Sequence, residues 1–197
     1  MEVMVHAREV GLTTVCNLVF PTLVTIEAAI GPVWGSHCRR ARQLRESQRL
    51  DIQPFYGFDL SLGAGAAVKI AVNWSWTDEL PPSAARAVIQ PLSRMLAFHA
   101  FARPELDWTL ELFAARACLT KKDLSRRLFA EGTSFRQALR TNRLSRLLID
   151  LPGLGRLDGV DAVRYGFADR CQAENAVFDR FGLSLFQLQR LVRAIET

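Results

Sequence analysis

The sequence predicts an α+β protein in which a small mixed α/β N-terminal domain precedes an all-α domain. Residues 1 to about 80 contain β-branched runs bounded by Pro and Gly. From Asp107 onward the apolar residues recur at helical spacing behind capping residues. Charge divides the chain near the same place: residues 108–149 hold nine Lys and Arg against three acids, whereas residues 1–107 hold ten of each sign and 150–197 six against seven.

In chain order, Thr13 to Phe20 and Leu23 to Ile30 read as two strands separated by Pro21 and closed by Gly31-Pro32. Cys38 to Leu50 carries five Arg against one Glu and reads as a short helix or exposed loop. Its basic residues would contact phosphate or simply face solvent. Asp59 to Trp76 reads as strand, turn and strand, with a hairpin turn at Gly63-Ala-Gly65. Phe55, Tyr56, Phe58, Trp74 and Trp76 are candidates for a core or a small-molecule pocket. Pro81-Pro82 ends this region, and Ser83 is placed to cap an apolar helix from Ala84 to Phe101, kinked at Pro91. Arg103-Pro104 then marks a boundary, giving domains at residues 1–104 and 105–197.

Asp107 is placed to cap a helix over Thr109 to Ala117, with Leu110, Phe113, Ala114 and Ala117 on its apolar face. Thr120 with Asp123 has the form of a capping box, so a second helix starts there and stops at Gly132. Leu124, Leu128 and Phe129 are expected to turn inward, leaving Lys122, Ser125 and Arg126 on the open side. Ser134 or Thr133 then caps a long helix from about Phe135 to Leu151, with Leu139, Leu144, Leu147 and Leu148 inward. Two short helices across a tight turn, the second presenting basic residues, make a helix-turn-helix.

The net charge of +5 arises in this one segment. A concentrated positive charge on helices calls for a polyanionic partner.

Residues Leu124 to Arg136, reading LSRRLFAEGTSFR, followed by Arg143, resemble the first helix-turn-helix of the AraC/XylS family of bacterial transcription regulators. Gly166-Phe167 and Phe181-Gly182 fall at the spacing of that family's second unit, so the resemblance spans roughly residues 105 to 193. It implies two helix-turn-helix units joined by a long helix. The pattern departs at Asp158, Asp161 and Arg164, where apolar residues are usual, although Leu157, Val160 and Val163 offer a shifted apolar face. It departs again at Ala173 and Leu185. With the acidic balance of residues 150–197, these departures assign most of the DNA contact to the first unit.

The resemblance implies a sequence-specific DNA-binding transcription regulator, with double-stranded DNA as partner. Lys122, Ser125 and Arg126 correspond to base readers, since arginine suits the N7 and O6 acceptors of guanine. Lys121, Arg136, Arg140 and Arg143 are expected near phosphate, and Arg170, Gln172 and Asn175 on the equivalent face of the second unit. By the same analogy the N-terminal half is regulatory. Homodimerisation is expected through that half or its linker helix, with RNA polymerase a further candidate partner and a small-molecule effector left open. The rival is a regulator acting through protein contact, motivated by Asp158, Asp161, Asp169, Glu174 and Asp179.

Other functions find little support. Cys16, Cys38, Cys118 and Cys171 form no CxxC pair, which suits reduced thiols in a cytoplasm. His6, His37 and His99 have no ligand partner at helical spacing, and no Gly-x-Ser-x-Gly elbow occurs, so neither a metal, a cofactor nor an enzyme is expected. Val10 to Ile26 lacks charge but contains polar residues and Pro21, and stops short of a membrane span. A cytoplasmic, nucleoid-associated protein is the expectation.

Overall fold

The computed structural model describes residues 1–7, 11–37, 40–74, 91–154 and 159–193. Strands come first: β1 (Glu2–His6), β2 (Thr13–Leu18), β3 (Val24–Ile30), β4 (Val33–His37), β5 (Arg40–Leu44), β6 (Arg49–Ile52), β7 (Phe58–Leu62) and β8 (Ala67–Val72). Helices α1 (Leu92–Ala102), α2 (Leu110–Arg116), α3 (Lys121–Ala130), α4 (Phe135–Leu154), α5 (Gly159–Arg164), α6 (Arg170–Phe181) and α7 (Leu185–Leu191) follow. A last short strand, β9 (Val192–Arg193), ends the described chain.

The strands form two antiparallel sheets, in the orders β6-β3-β8-β1-β9 and β2-β7-β4-β5. Alternation builds them. Val24, Ile26 and Ala28 of β3, and Phe58, Leu60 and Leu62 of β7, point inward while their neighbours do not. The inner faces share one core, in which Val5, Ile26, Val68 and Ile70 of one sheet join Val33, Leu44, Leu60 and Leu62 of the other.

This overturns the predicted fold class. Among the described residues the N-terminal half is all strand up to α1, not mixed α/β, and the C-terminal half is not all-α, because β9 returns to pair with β1 at Met4 and Val5. Cys38 to Leu50 is neither helix nor loop: Arg40 to Leu44 forms the edge strand β5, and Arg49 begins β6. Exposed arginines on an edge strand leave no apolar alternation to read, and they discourage pairing with another chain. Gly63 to Gly65 is not a hairpin turn either, since β7 and β8 belong to different sheets. Ala84 to Gln90 of the expected apolar helix, and Trp76, lie outside the described residues.

Helix α4 organises the rest. At 1.5 Å per residue its 20 residues span about 30 Å, enough to serve two cores. Ala138 and Leu139 join Leu92, Leu96, Trp108, Phe113, Leu124 and Leu128 in the smaller core. Leu144, Leu147, Leu148 and Leu151 join the sheets, together with Tyr165, Phe181 and Leu188. Ser145 Oγ donates to the Val19 carbonyl at 2.6 Å and ties the helix to the sheet side.

Candidate nucleic-acid interface

Local chemistry fixes the first helical pair. Thr109, not Asp107, caps α2, its hydroxyl accepting from the Leu112 N–H at 3.1 Å. Thr120 caps α3 by accepting from the Asp123 N–H at 3.1 Å, and its hydroxyl donates to the Asp123 carboxylate at 2.8 Å. That hydroxyl and the neighbouring Arg126 hold the Asp123 carboxyl below its ordinary pKa. Gly132 closes α3 at φ +77°, a conformation open to glycine without a Cβ clash.

Leu124 and Leu128 are fully buried and hold α3 against Phe113 and Ala138. Lys121, Lys122, Ser125, Arg126 and Arg127 all remain exposed. At 100° per residue, Lys122, Ser125 and Arg126 fall on one face opposite the leucine pair. Phe129 does not turn inward as expected. It lies about 140° around the helix from Leu124, and it is 83% exposed.

The cations are differently committed. Lys121 pairs with Glu111 at 2.9 Å, Arg126 with Asp123 at 2.5 Å and Arg140 with Asp179 at 3.1 Å. All three pairs are exposed, where solvent screening leaves an ion pair little worth, so these cations stay open to other partners. Lys122, Arg127 and Arg136 are exposed, with no side-chain hydrogen bond or ion pair among the described residues. Arg127, exposed beside Arg126, is a cation that the helix-turn-helix resemblance does not single out. Arg136 and Arg140 line a groove of about 370 Å³ that runs from α4 to Asp179 and Arg180 of α6.

Arg143 is placed differently from these. It is half-buried, its Nε donates to the Pro104 carbonyl at 3.1 Å and its Nη2 to the Leu106 carbonyl at 2.7 Å. Arg146, on the next turn, pairs with Asp150 at 2.8 Å, and Asp150 also accepts from the Tyr165 hydroxyl at 2.7 Å. Burial and that bond push the Tyr165 hydroxyl pKa upward.

The second helical pair repeats the plan with different side chains. Asp169 caps α6 by accepting from the Gln172 N–H at 2.7 Å, and Gly182 closes it at φ +73°. Ala173, Ala176 and Val177 are its buried residues beside Phe181. The shifted apolar face expected before the turn is absent at Val163, which is 59% exposed, while Ala162 and Tyr165 are buried instead. Leu157 lies outside the described residues. Arg170 pairs with Glu174 at 2.8 Å, the Gln172 amide oxygen accepts from the Ala168 N–H at 2.7 Å, and Asn175 is exposed beside Cys171. The structure therefore gathers Lys121, Lys122, Ser125 and Arg126 on one helix, Arg136 and Arg140 on α4, and Arg170, Gln172 and Asn175 on a second helix.

Glu131 is a feature that sequence reasoning missed. At the C-terminus of α3, its two carboxylate oxygens accept from the Leu92 and Ser93 N–H groups at 2.9 and 2.7 Å, so the end of α3 caps the start of α1. Of the aromatics that are candidates for a core or a small-molecule pocket, Phe58 and Trp74 join the core, linked ring to ring through Phe20 and Phe101, whereas Tyr56 is 51% exposed. Among the described residues no helix is long and apolar enough to cross a membrane, and no group of three His, Cys, Asp or Glu could hold a metal.

No family model matches the chain, and no curated protein does. Among solved structures it is similar to ToxT from Vibrio cholerae. The structure of ToxT from strain SCE256 with an unsaturated fatty acid bound has a TM-score of 0.67 at 9% identity, covering 100% of this chain and 97% of that one. ToxT from strain O395 has a TM-score of 0.67 at 11% identity, covering 99% and 98%. A DNA-binding transcriptional dual regulator from Escherichia coli K-12 is similar over 51% of this chain and 97% of its own, at 20% identity and a TM-score of 0.48. The chain shares the ToxT fold over its whole length.

Proposed function

We propose that this chain is a sequence-specific DNA-binding transcription regulator of the AraC/XylS type, with the first helix-turn-helix supplying most of the contact. The observation that carries this reading is α3 itself. Leu124 and Leu128 are buried beneath it, and Lys122, Ser125 and Arg126 stand exposed together on its far side. Such a helix suits the major groove, where Arg126 reads guanine N7 and O6 and Lys122 and Ser125 read neighbouring base edges. Lys121, Arg136 and Arg140 serve the phosphates, and Arg170, Gln172 and Asn175 make a weaker second contact. Arg143 serves by holding the loop at Pro104 to Leu106, beneath the reading helices.

Residues 1–104 are the regulatory half and 105–197 the DNA-binding half of this proposal, in a cytoplasmic protein that uses no cofactor. Homodimerisation and contact with RNA polymerase belong to the same reading. Because ToxT has been seen with an unsaturated fatty acid bound, a long-chain carboxylate is the effector class to test first. The rival reading, protein contact through an acidic second unit, is weakened at Asp169, whose carboxylate is taken up in capping α6.

Arg126→Ala tests the assignment. It should cost about 1–3 kcal/mol on a selected site and less on random duplex, whereas Arg140→Ala should weaken both alike. Equal losses on both DNAs for both variants would overturn these roles.

A further inference from the structure

The two helices assigned to DNA share an exposed residue that neither charge nor capping explains. Phe129 lies nine residues beyond the Thr120 cap of α3, and Phe178 lies nine residues beyond the Asp169 cap of α6. They are 83% and 59% exposed. The buried positions correspond too: Leu124 with Ala173 four residues past the caps, and Leu128 with Val177 eight residues past them. Equivalent positions in two repeats thus put a bare phenyl ring in water. Leaving a phenylalanine exposed forgoes the favourable burial of its ring, so a partner that covers it gains that burial.

On α3 the ring belongs to the reading face. Measured around the helix axis from Lys122, Ser125 lies near −60°, Arg126 near +40° and Phe129 near −20° at 100° per residue. Phe129 is therefore on the midline between Ser125 and Arg126, about 10 Å along the axis from Lys122, or about three base steps. No described residue packs over it, and its near neighbours on that face are polar or cationic.

We propose that Phe129 is a specificity residue that packs on the 5-methyl group of thymine in the major groove, and that Phe178 does the same for the second unit. The inference rests on the DNA-binding reading above. Among the four bases of duplex DNA, thymine alone offers a methyl group on the major-groove edge, and phenylalanine is one of the side chains that contact it. Cations at Lys122 and Arg126 on the same face favour a duplex over an apolar protein surface.

The test uses the full chain and a duplex enriched from a random pool by the wild-type protein. Each thymine in that duplex is replaced singly by uracil, which removes the 5-methyl group and leaves base pairing intact. For the wild type, one or two replacements should weaken binding about fourfold each, the effect of exposing one methyl group. Phe129→Ala should bind the parent duplex about four- to tenfold more weakly and lose less than twofold on the replacement tied to α3. Phe178→Ala should do so for the position tied to α6. An exposed ring leaves folding untouched when truncated, so thermal unfolding midpoints should match the wild type. If uracil weakens the wild type and both variants equally at every position, or weakens none of them, the methyl contact is refuted while DNA binding stands. If no sequence is enriched at all, the proposal falls together with the reading beneath it.

Discussion

The guanidinium of Arg143 lies across the backbone of Gly166, so close that a Cβ built on the glycine would stand 2.5 Å from the arginine Cζ. The same side chain bonds the Pro104 and Leu106 carbonyls, so the loop before α2, the middle of α4 and the turn of the second unit meet at one cation. Gly166 sits at φ +75°, where any side chain is strained. Gly166→Ala should therefore cost about 2–4 kcal/mol, from left-handed strain plus displacement of the guanidinium. Arg143→Ala should cost about 2–3 kcal/mol by leaving two carbonyls unpaired. The pair should couple: in the Arg143→Ala background the glycine substitution loses its steric part. Urea unfolding midpoints of the two single variants and the double variant measure this, and strictly additive losses would show that the contact carries no energy.

Glu131 should matter to stability although it lies at the exposed end of α3. Its carboxylate satisfies the first N–H groups of α1, Leu92 and Ser93. Glu131→Ala should cost about 0.5–2 kcal/mol and speed amide exchange at the start of α1 more than elsewhere. Unchanged exchange at Leu92 and Ser93 would show that the cap is dispensable.

His99 should make the protein acid-sensitive. It is 3% exposed among Phe98, Trp108 and Phe113, and burial, then Arg116 and Arg103, lower its pKa from 6.5 to about 4. The unfolded chain thus binds a proton near pH 6.5 that the folded chain refuses until about pH 4. The stabilisation from neutral His99 is fully present above about pH 6.5 and is lost as pH falls towards 4, by on the order of 3 kcal/mol. His99→Phe should flatten that limb of the stability curve in urea titrations. The same slope in wild type and variant would place its origin elsewhere.

Legibility in the sequence followed the kind of force involved. Thr120, Ser134, Gly132 and Gly182 announce helix ends through local hydrogen bonding or backbone freedom, and each lies at an element boundary. Strands β2 and β3 were legible because β-branched runs stop at Pro and Gly. What failed depended on partners distant in the chain. Nothing within Val192-Arg193 signals that it will pair with Met4 and Val5, and arginines at Arg40 and Arg42 hide an edge strand whose partner is β4. Phe129 reads as inward because it is apolar, although its helical angle sets it away from Leu124 and Leu128. Arg143 looked like its exposed neighbours, and only the fold turns it toward Pro104, Leu106 and Gly166.

The exposed cations of α3 and α4 should lie against a duplex. Titration of the full chain onto its enriched duplex at several salt concentrations measures that directly, because each phosphate neutralised releases counterions. With about four phosphate contacts among Lys121, Arg136, Arg140 and Arg170, log K should fall against log salt with a slope of about −3 to −4, flattened by about one in Arg140→Ala. A slope near zero, unaltered by Arg140→Ala, would contradict the claim.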